Sequence, residues 1–425
     1  MTSHYPPRKI GLMGPFGYGN LGDAAIQDAM IQNIRRYFPE AEIYGFSLNP
    51  QDTEKRHGIK SFPISRMSWQ EEGKQPKNLL ARFSKWLETH PNPIVRKLDR
   101  WVKRGPMEFG LIASAFKILK GFDMFIISGG GQLDDYWGGG GPWSHPYTLL
   151  KWGGLARLRG ARFMIVSVGA GPLDAKLSRL FIRYALSLAN YRSYRDEYSR
   201  KYVKEVVGFQ KNDSVYPDLA FSLQTGLSPS IPEPSSRKLV GIGPVGYFRE
   251  GCWPEADAEI YRHYLNKLAT FIEGLVEKRY GIIFLPGETY FDQLAIDDLK
   301  KVLADHGVDL KAHLVEASIL TVKDLLAQIQ RVDFVVVSRF HNLLLSQILN
   351  KPALALSYQA KIDSLMAATE QGQYCFPINR FDEKVLLQTF TDLEANQEVI
   401  RQQVRQHIQV YRDALNEQYE KIFGK

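Results

Sequence analysis

The chain has 425 residues, 44% of them apolar and 24% charged, so it can bury the cores of two or three domains and is not expected to be disordered. Fifty-four Lys and Arg against 46 Asp and Glu give a net charge of +8, which points to anionic partners. Two cysteines, Cys252 and Cys375, exclude a disulfide scaffold and a Cys-rich metal site, and they fit a reducing compartment. The opening residues lack the apolar stretch and cleavage site of a signal peptide, and no apolar run is long enough to span a bilayer. The expectation is a soluble, cytoplasmic protein whose membrane contact, if it has one, is peripheral.

In chain order, Lys9–Met13 reads as a strand, followed by a glycine-rich turn and a helix from about Asp23 with Ile26, Met30, Ile34 and Phe38 on one face. Glu42–Phe46, Met124–Ser128 and Phe163–Val168 read as further strands, and residues 178–190 as a helix. This β-turn-α rhythm predicts a parallel sheet with helices on both faces. It pauses at Ser228–Ser236, where three prolines and four serines in nine residues read as a linker. It then restarts with strands at Leu239–Ile242, Gly281–Leu285, Phe334–Ser338 and Ala353–Leu356 and helices at Ile260–Glu277, Phe291–Asp305 and Asn342–Leu349. The last element is one long helix whose apolar stripe is Ile400, Val404, Ile408, Tyr411, Leu415, Tyr419 and Ile422.

The pattern predicts an α/β chain with a GT-B-like plan: two Rossmann-like domains whose parallel sheets face across a cleft. The expected boundaries are 1–227 for the first domain, 228–237 for the linker and 238–385 for the second domain. Residues 386–425 are expected to form a helix returning to the first domain. Residues 77–104 interrupt the plan with eight Lys or Arg against Glu88 and Asp99, and with Trp86 and Trp101 among them. They read either as a solvated helical insertion or as a peripheral membrane patch for anionic lipid or a lipid-phosphate carrier. No nucleic-acid module appears, so nucleic acid is not an expected partner.

Gly17-Tyr18-Gly19-Asn20-Leu21-Gly22 matches the dinucleotide fingerprint GxGxxG, after a strand and before a helix. Two features oppose that reading. The second strand ends in Ser47-Leu48-Asn49 with no acid for a ribose, and Asp23 puts a carboxylate where a pyrophosphate would sit. Asn20 and Asp23 are instead expected to hydrogen-bond acceptor hydroxyls, with Asp23 also suited to cap its helix. At the end of strand Phe334–Ser338, Arg339 and the following helix start offer donors to an anion, and His341 can carry a proton near neutral pH. Lys361 lies on a neighbouring strand-end loop, and Ser193-Tyr194-Arg195-Asp196 supplies another arginine in the first domain. A loop from Gly129 to Trp143 carries seven glycines with Tyr136, Trp137 and Trp143, whose rings suit the apolar faces of sugars.

The ordered set Asn20-Leu21-Gly22-Asp23, Ser193-Tyr194-Arg195-Asp196, Arg339-Phe340-His341 and Tyr358-Gln359-Ala360-Lys361 resembles the polysaccharide pyruvyl transferase family, over about residues 10 to 375. The resemblance implies a GT-B-like fold and transfer of pyruvate from phosphoenolpyruvate to a sugar of a polysaccharide or its precursor, as a cyclic ketal. It assigns phosphoenolpyruvate binding to Arg195, Arg339 and Lys361. It links Arg339 and His341 with proton transfer as well; on the chemistry of the residues, His341 is expected to be the general acid, helped by Lys361, with Asp23 as acceptor-side base. The same chemistry, not the resemblance, places Asn20, Tyr136, Trp137 and Trp143 on the acceptor side. No cofactor and no metal are expected, because the cations already do the charge work. Phe340 and Asn342 depart from the family's usual small residues at those positions. The rivals are a GT-B glycosyltransferase using a nucleotide sugar, with Glu288 as a candidate ribose ligand, and a non-catalytic carbohydrate-binding protein. No GxSxG elbow supports hydrolysis.

Overall fold

The computed structural model describes residues 6–14, 16–17, 19–65, 108–135, 140–226, 237–253 and 255–424. The basic stretch 77–104, Tyr136, Trp137 and most of the expected linker lie outside the described residues. The chain divides into two compact units. The first comprises Met1–Tyr18 and Ile34–Tyr216, the second Gly19–Asn33 and Pro217–Lys425. The division thus falls between Tyr216 and Pro217 rather than after residue 227, and the start of the first helix groups with the second unit. The Pro/Ser composition at 228–236 marks a polar connection; it does not report which side chains pack together.

The first unit is built on a sheet of strands β1 (Lys9–Met13), β2 (Glu42–Ser47), β3 (Lys60–Pro63), β4 (Met124–Ser128), β5 (Gly131–Leu133), β6 (Arg162–Ala170), β7 (Tyr191–Tyr194) and β8 (Ser214–Val215). Their order is β3-β2-β1-β4-β6-β7-β8, with β5 alongside β6, and every pairing is parallel. All five residues of β4 are buried, as expected of a parallel strand covered on both faces. Phe46, Phe125, Trp152 and Phe163 are fully buried at the centre, and burying each such side chain contributes about 1.5–3 kcal/mol. Trp152 meets its polar requirement by donating from Nε1 to the Ile64 carbonyl at 3.2 Å.

The second unit holds β9 (Leu239–Gly243), β10 (Gly281–Phe284), β11 (Phe334–Val337), β12 (Ala353–Ser357) and β13 (Cys375–Pro377) in the order β10-β9-β11-β12-β13, again all parallel. Helices Ala258–Glu277, Phe291–Asp305, Val322–Arg331 and Phe340–Ile348 cross between strands.

The long C-terminal helix, Gln397–Phe423, belongs to this second unit. Of its stripe, Ile400, Val404, Ile408, Leu415, Tyr419 and Ile422 are buried. It packs on the helix Phe340–Ile348 and on a 3-10 turn at Leu219–Ser222. Tyr419 Oη lies 3.0 Å from Ser222 Oγ, and Arg412 donates to the Phe221 carbonyl at 3.3 Å. Residues 219–222, placed in the first domain by the expected boundaries, group with the second unit, so this packing lies within that unit.

Candidate functional site

In the second unit the carboxyl ends of β10, β11 and β12 lead into Leu285–Tyr290, Ser338–His341 and Tyr358–Lys361. Ligands of open parallel sheets bind beyond such strand ends. Arg339 takes the N-cap position of helix Phe340–Ile348, and no side chain caps that helix. Its guanidinium is held by Asp292: Nε lies 3.1 Å from each carboxylate oxygen and Nη2 2.6 Å from Oδ1. Asp292 is fully buried, and its Oδ2 also accepts from the N–H groups of Gly287 and Glu288 at 2.9 Å. The Arg339 side chain keeps 28% of its exposure. Burial disfavours its charge, but Asp292 outweighs that and holds its pKa above the ordinary arginine value.

His341 follows on the same turn, and its side chain is 13% exposed. Its Nε2 lies 3.5 Å from Oδ2 of Asp218, a carboxylate 2% exposed. On the other side of the ring lies the start of the first helix, Leu21–Tyr37. A Cβ added to Gly22 would fall 2.1 Å from His341 Nδ1, and one on Gly19 would fall 2.2 Å from Thr289 Oγ1. These glycines of the GxGxxG run therefore serve close approach to a histidine and a strand-end loop. The two segments are also tied by backbone: Leu21 N–H donates to the Gly287 carbonyl and Thr289 N–H to the Gly19 carbonyl, both at 2.9 Å.

Asn20, not Asp23, provides the helix cap, its Oδ1 accepting from Gly22 N at 2.9 Å and Asp23 N at 3.2 Å. Asp23 is 7% exposed in the first turn. Glu288 accepts from the N–H groups of Tyr290, at 3.1 Å, and Phe291, and burial raises its pKa above the usual carboxylate range.

The two departures from the family pattern have structural partners. Lys361 Nζ sits 5.5 Å from the centroid of the Phe340 ring, a cation–π distance. Asn342 is fully buried and donates from Nδ2 to the Leu285 carbonyl at 2.7 Å, fixing the loop that carries Gly287 and Glu288. The structure thus brings Asn20, Asp23, Arg339, His341 and Lys361 to neighbouring strand-end and helix-start segments of one unit. Asp218 and Asp292 were not anticipated. Asp292 reads in sequence as a first-turn helix acid. Asp218 lies three residues beyond the end of β8, a strand that the sequence pattern does not mark.

Arg195 stands at the end of β7 in the first unit, with Nε 3.5 Å from Asp196 Oδ2. Beside it, β6 carries Ser167 in the left-handed region, at φ 49°, where its pairing with β7 shifts register. Trp143, also in the first unit, is 61% exposed and packs on Tyr147 and Phe181 with ring centroids 5.4 Å away. Among the described residues no group of three or more His, Cys, Asp or Glu could hold a metal ion. No described helix is long and apolar enough to cross a membrane.

Solved structures of similar fold include a UDP-N-acetylglucosamine 2-epimerase (TM-score 0.58, 12% identity, 99% of this chain and 97% of that one). Another is UDP-GlcNAc 2-epimerase from Neisseria meningitidis bound to UDP-GlcNAc (0.55, 11%, 96% and 100%). A third is the UDP-GlcNAc 2-epimerase from Methanocaldococcus jannaschii (0.53, 10%, 90% and 92%). At these identities the likeness shows the fold alone, an α/β fold of GT-B-like type. No curated protein matches the chain. The polysaccharide pyruvyl transferase profile matches residues 20–360, most of the length, and the chain belongs to that family. It is a polysaccharide-modifying transferase.

Proposed function

We propose that this chain transfers the pyruvyl group of phosphoenolpyruvate to two hydroxyls of a sugar, forming a cyclic ketal and releasing phosphate. The observation that carries the reading is the β11 turn, where a buried carboxylate orients Arg339 at an uncapped helix start and His341 follows two residues on. Phosphoenolpyruvate brings a carboxylate and a phosphate, and this turn offers a guanidinium, helix N–H groups and the neighbouring Lys361. Arg195 of the first unit is assigned to the donor by the family resemblance.

In the proposed reaction His341 delivers a proton to the methylene carbon, which becomes the methyl group. The ketal carbon turns electrophilic and one sugar hydroxyl adds to it, losing its proton to a base, for which Asp23 is our assignment. The second hydroxyl displaces the phosphate, its proton leaving with that group. Asn20 supports this side through its cap, and Trp143 is assigned to acceptor packing. We propose the same acceptor role for Tyr136 and Trp137, and a lipid-linked precursor as one form of acceptor.

Thermal-shift titration with phosphoenolpyruvate, UDP, GDP and NAD, on wild type and Arg339→Lys, tests the reading. A ligand that binds only the native state raises Tm as its concentration passes Kd. We expect a shift with phosphoenolpyruvate alone, weakened in Arg339→Lys, which cannot reproduce the fork. A shift with a nucleotide and none with phosphoenolpyruvate would overturn it in favour of a nucleotide-sugar transferase.

A further inference from the structure

We propose that Asp218 is the positioning residue for His341, holding the imidazole as its Nε2–H tautomer so that Nδ1 handles the transferred proton; this deepens the pyruvyl-transfer reading and rests on it for its kinetic arm. Asp218 is 3% exposed and stands on a rigid base. Its Oδ1 accepts from Ala220 N at 3.0 Å as the cap of the Leu219–Ser222 turn. That turn is buried and tied down at Ser222, which lies 3.0 Å from Tyr419 Oη and accepts from Asn33 Nδ2 at 3.1 Å.

With Oδ1 committed to the turn, Oδ2 faces His341 Nε2 at 3.5 Å. A buried carboxylate only accepts, so an N–H on Nε2 is the tautomer that turns a donor, rather than a second lone pair, toward it. The separation exceeds an ordinary N–H···O bond, and the pair tightens once the ring gains its second proton. On the opposite edge the ring lies against Gly22, where a Cβ would stand 2.1 Å from Nδ1, so only glycine lets the ring sit there. One ring nitrogen therefore faces a carboxylate, and in that tautomer the other carries the lone pair.

Asp218→Asn separates this role from simple capping. Asn caps as well as Asp, so the turn keeps its bond. The amide nitrogen then faces Nε2 and donates to it, driving His341 to the Nδ1–H tautomer. Histidine ¹⁵N NMR on the full chain, with His341→Gln assigning the signal, reads the tautomer directly. We expect Nε2–H in wild type and Nδ1–H in Asp218→Asn. Phosphate release from phosphoenolpyruvate should fall roughly 10²-fold in kcat, with KM for phosphoenolpyruvate within about twofold and Tm nearly unchanged. An unchanged tautomer or an unchanged kcat would overturn the proposal. A wild type that never releases phosphate would instead count against the pyruvyl reading, and the NMR arm alone would then decide the role of Asp218.

Discussion

Two strand-end arginines, one in each unit, are built differently. Arg195 follows β7, and the next residue, Asp196, caps the helix Glu197–Tyr202 by accepting from Ser199 N at 2.7 Å. Arg339 follows β11, and its helix has no side-chain cap; its carboxylate partner, Asp292, comes from a different helix and is fully buried. In the first unit the helix start is already occupied by an anion of the protein itself. In the second the carboxylate grips the guanidinium and the loop N–H groups instead, and the helix start has no side-chain cap. The contrast is in what the carboxylate serves: a helix start in the first unit, a guanidinium and two loop N–H groups in the second.

The contrast is easiest to break at the carboxylates. Asp292→Ala strips partners from Arg339 and from two backbone N–H groups at once, and removing one member of a buried pair costs about 3–5 kcal/mol. Asp196→Ala removes a helix cap and costs about 1 kcal/mol. Denaturant unfolding of the two variants should show that ordering, and equal losses would erase the distinction.

Glycines sharpen it next. A Cβ on Gly22 meets the ring of His341, which is hemmed in, whereas a Cβ on Gly169 meets Arg195 at 2.7 Å through Nη2, the far end of a flexible side chain. Gly22→Ala is therefore expected to cost about 1–3 kcal/mol by overpacking and to lower kcat by an order of magnitude or more through the displaced ring. Gly169→Ala should leave stability within about 1 kcal/mol, which parallel melts and phosphate-release assays would check.

The strand limits were readable because buried parallel strands are short apolar runs bounded by turn residues. β1, β4 and the helix Phe291–Asp305 follow the expected limits residue for residue. Arg339, His341 and Lys361 were readable because strand-end loops are where a parallel sheet places ligands. Asp218 and Asp292 were not, since a carboxylate's partner in a fold cannot be read from its own neighbours in the chain. The same limit holds for the C-terminal helix. Its stripe announced that it packs on something, and only the structure shows that this is the turn at 219–222.

A smaller effect is expected at Phe340. Replacing it with Leu removes the ring beside Lys361 and with it about 0.5–1 kcal/mol of cation–π attraction. The looser ammonium should raise KM for phosphoenolpyruvate a few-fold and leave kcat nearly unchanged. A kcat loss as large as that of Gly22→Ala would place the ring in the chemistry rather than beside it.

The finest comparison is between two buried bases. In the first unit, burial pushes His145 down to about 4, with the Gln132 backbone partly opposing. In the second, burial pushes Lys351 down to about 8, with Asp333 opposing, while its Nζ donates to the Gln330 carbonyl at 2.8 Å. For each group the unfolded chain keeps its proton to higher pH, near 6.5 for histidine and about 10.4 for lysine. Between the folded and unfolded values the unfolded state binds more protons, so stability rises with pH across that window. The first unit should lose protection as pH falls from about 6.5 to 4, whereas the second should gain it as pH rises from about 8 to 10.4. Hydrogen exchange at matched intrinsic rates, read unit by unit across pH, would separate the two windows. His145→Gln should flatten only the acid limb, and Lys351→Met only the alkaline one; either variant moving both would show that the units do not open independently.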